Sequence, residues 1–280
     1  MIASLLILGI LGLIFGILLT LAHRRLKIEI NPLVEKVTNL LPGANCGTCG
    51  YGRCISLAEA IVKEEAEPDL CPATEPEIIK KIAQLLGKEA RIKEKKTARL
   101  LCAGGKKNAK ECFSYFGIKD CQAAMLIAGG NLLCKYGCLG FGSCIEACPF
   151  EAIKMSEDSL PIIDPEKCKG CGKCVDACPK GLLQLLPLRQ KFFVACGSED
   201  KGAATAKNCS VGCIGCQKCV KVCEHDAITI ENFLARIDPE KCNNCGKCTE
   251  VCPRGVIKQL NYTPTILPPP LRGRIKVRGN

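Results

Sequence analysis

Two stretches of the sequence repeat one cysteine spacing, C-x2-C-x2-C-x3-C-P: Cys168, Cys171, Cys174 and Cys178 before Pro179, and Cys242, Cys245, Cys248 and Cys252 before Pro253. Three thiolates on one tight loop can hold three corners of a [4Fe-4S] cube, and the fourth cysteine, opening a helix that leads away, ligates a neighbouring cluster. The chemistry such sites supply is one-electron transfer. Cysteine makes up 25 of the 280 residues, whereas His23 and His225 are the two histidines. Paired C-x2-C units also build structural zinc sites, but zinc quartets want two separated pairs, and these cysteines run three and four to a loop.

Another quartet, Cys46, Cys49, Cys54 and Cys71, lies in LPGANCGTCGYGRC…LCP. Its spacing differs from the other loops, and Gly43, Gly47, Gly50 and Gly52 let backbone N–H groups approach sulfur. The remainder is an internal duplication. Ile163-Asp164-Pro165-Glu166-Lys167-Cys168 matches Ile237-Asp238-Pro239-Glu240-Lys241-Cys242, and CKYGCLGFGSCIEAC from Cys134 aligns without a gap with CSVGCIGCQKCVKVC from Cys209. Each copy reads as a two-cluster module of ferredoxin type, and two in series make a wire rather than a pocket.

One ligand position is irregular. The second copy has Cys213, Cys216, Cys219 and Cys223, whereas the first has Cys138, Phe141, Cys144 and Cys148. Either the cluster beside Phe141 is a [3Fe-4S] centre or another thiol substitutes. Cys134 is the nearest candidate and the preferred one, although Cys209 sits at the equivalent place in the copy that lacks nothing. Glu224 also replaces the proline that follows the other fourth cysteines, which predicts a local change in sulfur exposure; His225 beside it reads as a surface residue or a proton-linked tuner. Cys102, Cys112, Cys121 and Cys196 remain unassigned. Cys102 and Cys196 look like counterparts on short strands entering each module, so they read as small buried hydrophobes, with an extra cluster as the alternative. The C-x3-C-x2-C run of Cys209, Cys213 and Cys216 mimics radical enzymes that bind S-adenosylmethionine, but it continues into the module alignment and no strand-helix barrel follows.

Small modules must position these loops. Aromatics are 4% and tryptophan is absent, so cluster binding should supply much of the folding free energy and the apo chain should be poorly folded. Helical periodicity over Ile55 to Ala66 returns the chain to Cys71, and a charged helical stretch from Glu75 to Lys96 carries Ile78, Ile79, Ile82, Leu85 and Leu86 on one face. Ile2 to Ala22 is apolar over a length that can cross a bilayer. No basic segment precedes it as in a signal peptide, and the flank from His23 to Lys27 should stay cytoplasmic. The metal-bearing bulk then sits where thiols stay reduced, which argues against a disulfide-stapled secreted protein. The net charge is +11, but five clusters at about two negative charges each would bring the holoprotein near neutrality. Basic residues are not striped with aromatics, so no nucleic-acid partner is expected. A basic tail, Arg272, Arg274, Lys276 and Arg278, follows Pro268-Pro269-Pro270 and reads as solvated, or as a contact for lipid or a partner subunit.

In order, an apolar helix with a basic flank, the LPGANCGTCGYGRC…CP segment and tandem modules resemble the B subunit of the Rnf electron-transport complex, in a long form. The resemblance spans nearly the whole chain, departing from the simpler pattern in its second module and at Phe141. It implies an α+β chain: a transmembrane helix and flank at 1–27, a four-iron domain at 31–75, a helical linker at 76–96, ferredoxin-like modules at 97–187 and 188–262, and a tail at 263–280. It further implies a single-pass subunit of the cytoplasmic membrane, its iron-sulfur domains inside. There it would relay electrons between soluble ferredoxin, other subunits and NAD while the complex moves sodium ions or protons. The expected path has five [4Fe-4S] clusters: Cys46, Cys49, Cys54 and Cys71; Cys134, Cys138, Cys144 and Cys178; Cys148, Cys168, Cys171 and Cys174; Cys213, Cys216, Cys219 and Cys252; and Cys223, Cys242, Cys245 and Cys248. No substrate site of its own is evident, since no intramembrane ionisable residue and no Gly-rich nucleotide fingerprint occur. The competing readings are a membrane-tethered polyferredoxin outside any pump and a redox or iron sensor.

Overall fold

The computed structural model describes residues 2–26, 31–90 and 92–260. Lys27 and the whole Pro-rich basic tail lie outside the described residues, as do the side chains of His23 and Arg24. The apolar run forms one helix, α1, Ile2–Leu26. Its large apolar side chains described between Ile7 and Leu21 are all exposed, with Phe15 at 58% and Leu19 at 69%, so the helix has no core within this chain to face. Over the described residues, no helix is long and apolar enough to cross a membrane; the expected span starts at Ile2, ahead of the first described side chain.

Three helices build the next body. α2, Pro32–Leu40, starts with proline at its first turn and Asn31 as N-cap, the Asn31 side chain accepting from Leu33 N at 2.9 Å. α3 is Cys54–Val62 and α4 is Pro76–Leu85. Val37, Leu57, Ile61 and Ile82 meet between them at 0 to 1% exposure. The expected linker helix therefore ends at Leu85, where Gly87 turns the chain at φ +65°. Ile79 and Ile82 are buried as the stripe requires, but Leu85 is 44% exposed.

The duplication appears as the same topology twice. The first copy contains β1 (Lys96–Leu100), α5 (Gly105–Asn108), α6 (Cys121–Met125), α7 (Ser143–Glu146), β2 (Ile153–Met155), β3 (Pro161–Ile163), α8 (Lys173–Asp176) and β4 (Leu183–Pro187). The second contains β5 (Phe192–Val194), α9 (Gly202–Asn208), α10 (Lys218–Lys221), β6 (Ile228–Glu231), β7 (Leu234–Ile237), α11 (Lys247–Glu250) and β8 (Ile257–Gln259). In each, the first strand pairs antiparallel with the last and the middle two form a hairpin: β1 with β4 and β2 with β3, then β5 with β8 and β6 with β7. Two-stranded sheets of this length are marginal alone. Their cores are finished by sulfur: Cys144, Cys168 and Cys174 pack with Ala98, Leu182 and Leu183, and Cys213, Cys219 and Cys248 with Ile228, Val256 and Ile257.

The largest difference between the copies is an insertion. In the first, residues 109–133 separate α5 from Cys134; in the second, α9 runs directly into Cys209. That insertion carries Cys112 and Cys121.

Candidate metal centres

Every cysteine loop in the duplicated region takes left-handed backbone at the same two places: Gly140 and Gly142, Gly170 and Gly172, Gly215 and Gln217, Asn244 and Gly246. Gly170 shows why the position is restricted, since a Cβ there would lie 2.5 Å from the Lys96 carbonyl oxygen. The two left-handed steps coil the loop around its sulfurs and lead into a one-turn helix. α7, α8, α10 and α11 each bury one loop cysteine, Cys144, Cys174, Cys219 and Cys248. The fourth cysteine follows the helix and reaches a different cavity, as the ferredoxin rule requires.

Four-thiol cavities result. One is lined by Cys148, Cys168, Cys171 and Cys174, another by Cys213, Cys216, Cys219 and Cys252, and another by Cys223, Cys242, Cys245 and Cys248. These gatherings match the sets read from spacing. A further cavity holds Cys138, Cys144 and Cys178, but its fourth thiol is Cys121. The expected substitute, Cys134, does not line it.

The reason lies in the insertion. Asp120 N-caps α6 by accepting from Ala123 N at 2.8 Å, and Ser143 Oγ donates to the other Asp120 oxygen at 2.7 Å. Ser143 Oγ in turn accepts from Cys121 N at 2.8 Å. These bonds hold the Asp120 carboxyl below the usual carboxylate range. Ser143 adjoins Cys144, so the bonds pin Cys121 to the cluster loop itself. Phe141 instead packs on Tyr115 of the insertion, ring centroids 5.1 Å apart.

The N-terminal quartet is also drawn together. Burial pushes the Cys71 thiol up, and neighbouring Cys49 and Cys46 add to the shift. Cys54 N donates to Asn45 Oδ1 at 2.8 Å, fixing the loop on the start of α3. This body abuts the first module: Lys169 pairs with Glu75 at 2.6 Å, and Phe150 packs against both cores. Cys46 is close enough to Cys171 to raise its pKa, after burial itself.

Thiols in these cavities resist ionisation while metal-free. Burial, then the charges of neighbouring cysteines, lifts Cys174 to about 12 and Cys144, Cys219 and Cys248 to about 11. Four soft sulfur donors per cavity are the donor set of a four-iron cluster. A second observation fits an anionic group. Arg99 on β1 is 3% exposed and its Nε and Nη2 have no partner; burial presses its pKa down, with Cys168 of the adjoining cavity opposing. Among the described residues, no three His, Cys, Asp or Glu side chains converge where one metal ion would sit.

At Glu224, the residue in the proline's place forms a surface ion pair with Lys247, which lowers its pKa mainly through that hydrogen bond. His225 is exposed, its Nε2 2.7 Å from Asn243 Nδ2 at the edge of the last cavity. Cys112 is exposed and lines none of these cavities, its N–H donating to Asn131 O at 2.9 Å. Spacing left Cys102, Cys121, Cys196 and Cys209 without a site and assigned Cys134 to the second quartet, whose cavity Cys121 lines instead. One signal was available: Cys121 has no counterpart in the second copy, just as Phe141 leaves the first copy one ligand short.

Comparison with known proteins finds iron-sulfur families over the same stretches of chain. A family model described as an Fe-S cluster matches residues 41–73. Two described as a 4Fe-4S dicluster domain match residues 134–182 and 212–256, and residues 160–224. The chain is 42% identical over 242 residues to the B subunit of the ion-translocating oxidoreductase complex of Methanosarcina acetivorans, covering 86% of this chain and 92% of that one. It is 45% identical to the B subunit of the proton-translocating ferredoxin:NAD(+) oxidoreductase complex of Clostridium ljungdahlii, over 85% and 84% of the two chains. Identity is also 45% to the Na(+)-translocating counterpart of Acetobacterium woodii, over 84% and 71%.

Proposed function

This chain belongs to the family of B subunits of the Rnf ion-translocating oxidoreductase complexes, and we propose that it is the segment of such a complex that carries electrons in single steps along a line of iron-sulfur centres. It is the electron-transfer subunit of an ion-translocating ferredoxin:NAD oxidoreductase. The observation that carries this reading is the sorting of cysteines into four-thiol cavities that share loops and helices.

We assign five of the centres. The first is Cys46, Cys49, Cys54 and Cys71; the second Cys121, Cys138, Cys144 and Cys178; the third Cys148, Cys168, Cys171 and Cys174. The fourth is Cys213, Cys216, Cys219 and Cys252, and the fifth Cys223, Cys242, Cys245 and Cys248. When bound, [4Fe-4S] clusters supply one-electron exchange with no bond made and no proton needed. Four thiols at the second centre favour a complete cubane over a three-iron one. The protein's part is to hold the thiolates, cover them with aliphatic side chains such as Leu182, Ile153, Val256 and Ile257, and direct N–H groups at sulfur, as Leu182 N does to Cys178 Sγ at 3.4 Å.

The finer setting is argued from the ends. Helix α1, apolar on every described face, suits a lipid environment, with the basic flank cytoplasmic. Soluble ferredoxin on that side and flavin-bearing or membrane subunits are the exchange partners proposed. The coupling ion resides elsewhere in the complex, and the printed names of two relatives differ on it, one proton and one sodium.

The test uses membrane vesicles from cells carrying the whole complex. Replacing Cys46 with serine should abolish ferredoxin-driven NAD reduction and the ion uptake coupled to it. Electron transfer without any coupled ion movement in the unaltered complex would favour the tethered polyferredoxin instead.

A further inference from the structure

Four thiols that belong to none of these centres meet in a cavity of their own, between the two modules. Its wall includes Cys102, Cys134, Cys196 and Cys209. All are free thiols, three of them buried and Cys102 partly so. Each module contributes two from equivalent places. Cys102 follows β1 and Cys196 follows β5, each just beyond the strand's pairing with the end of its module: Leu101 N donates to Leu182 O at 2.7 Å and Ala195 N to Val256 O at 2.8 Å. Cys134 and Cys209 both stand four residues before the first loop cysteine of their copies, Cys138 and Cys213.

The backbone closes this quartet from both sides. Ala109 and Cys209 form an antiparallel bridge, with Lys110 N donating to Asn208 O at 3.0 Å and Ser210 N to Asn108 O at 2.9 Å. Asn208 Nδ2 donates to Leu133 O at 3.4 Å, beside Cys134. Gly104 packs closely against the quartet: a Cβ there would lie 3.1 Å from Ala109 Cβ and in ordinary contact, 3.6 Å, with the sulfurs of both Cys102 and Cys209. Matching cations brace the two loops. Arg254, after Cys252-Pro253, donates to the carbonyls of Cys209 at 2.6 Å and Gly212 at 3.3 Å. Lys180, after Cys178-Pro179, donates to the carbonyls of Gly129 and Lys135. Ser198 N and Cys213 N each donate to Cys196 Sγ at 3.4 Å, the N–H to sulfur pattern of a ligating thiolate.

We propose that Cys102, Cys134, Cys196 and Cys209 ligate a sixth [4Fe-4S] cluster, shared between the modules and lying between the second and fourth centres. The proposal rests on the electron-relay reading for its purpose but not for its existence. Cys196 Sγ accepts from the backbone N–H of Cys213, a fourth-centre ligand, and Cys102 stands beside Cys138, a second-centre ligand. The two modules otherwise meet with no assigned centre at their boundary. An electron crossing there would leave one centre oxidised by one electron and the next reduced by one, with no bond broken. Six quartets use 24 of the 25 cysteines and leave Cys112 alone outside.

The test is iron and acid-labile sulfide per polypeptide in the full chain prepared without oxygen, with reduced-state electron paramagnetic resonance. About 24 of each is expected. In a Cys102→Ser, Cys196→Ser double variant, and separately in Cys134→Ala, Cys209→Ala, both should fall by about four with loss of one spectral component. Cys112→Ser should change nothing. About 20 iron, unchanged in both double variants, overturns the sixth site, as does one zinc per chain lost in those variants. If a variant loses all its iron, removal of Arg254 alone serves, expected to make the same component broaden or titrate at a lower potential; no change there counts against the site. A chain with 24 iron that fails to exchange electrons with ferredoxin keeps the site and removes the relay. Twenty iron with the relay intact does the reverse.

Discussion

The backbone amide of Cys213 donates to the sulfur of Cys196 at 3.4 Å, so a thiol lining one cavity is hydrogen-bonded to a residue whose own thiol lines the next. Similar adjacency runs through the chain. Cys46 bears on Cys171, Cys144 and Cys148 on Cys174, and Cys102 on Cys138. Along these contacts the proposed centres follow one another as first, third, second, the inter-module quartet, fourth and fifth. This is not their order in sequence, because the loop of Cys171 rather than that of Cys138 adjoins the N-terminal body.

Exchanging two residues tests the second centre. Cys121→Ser should remove one iron, leaving a three-iron signal, or empty the site with a loss of about four. Adding Phe141→Cys to it should restore the lost iron, because position 141 aligns with the ligand Cys216. Iron analysis with paramagnetic resonance decides. A Cys121→Ser chain with full iron content would return the ligand to another thiol.

Spacing made much of this legible. Period 3.6 places a helix at Ile55, and α3 spans Cys54–Val62; fixed cysteine intervals announced three complete cavities and three-quarters of a fourth. Those intervals report only on loops that fold locally. Cys134 is nearer than Cys121 to Cys138 in sequence, yet the bonds of Ser143 with Asp120 and Cys121 decide which thiol arrives. Cys102 and Cys196 read as plain hydrophobes because strands bury small residues alike, and the module contact that brings them together has no local pattern.

Whatever structure the metal-free chain keeps should weaken as pH rises. Unfolded thiols ionise near their ordinary value of 9.0, whereas folded Cys144 and Cys219 wait until about 11 and Cys174 until about 12. Between those limits the unfolded chain has released more protons than the folded one, so stability is intact below about pH 9 and falls above it. Circular dichroism of reduced apo chain titrated upward should show structure lost across that window. The cluster-loaded chain, whose sulfurs are already thiolates, should hold its signal there.

Deleting α1 separates anchoring from metal binding. A chain starting at Asn31 should retain its full iron, since α1 meets no core here, while leaving the membrane fraction. In vesicles, coupled NAD reduction should fall to near background even though the truncated chain still accepts electrons from ferredoxin. Undiminished coupling would make the helix dispensable and favour the sensor reading.

Arg99 supplies the last prediction. Its guanidinium is buried, donates through Nη1 to Ala98 O at 3.2 Å, stands 5.9 Å over the Phe193 ring, and has its pKa pressed down to about 10 by burial, with Cys168 opposing. A buried cation without a carboxylate partner costs several kcal/mol, so Arg99→Met should leave the apo module no less stable. With the third centre filled, the same cation faces added negative charge on each reduction. Removing it should lower that centre's midpoint potential by about 60 mV, a tenfold change in a one-electron equilibrium, while Arg99→Lys, which keeps the charge, should shift it less. A potentiometric titration followed by paramagnetic resonance measures both. A potential that stays put or rises in Arg99→Met would mean that the guanidinium does not sense the third centre, and that its burial answers to packing on Phe193 alone.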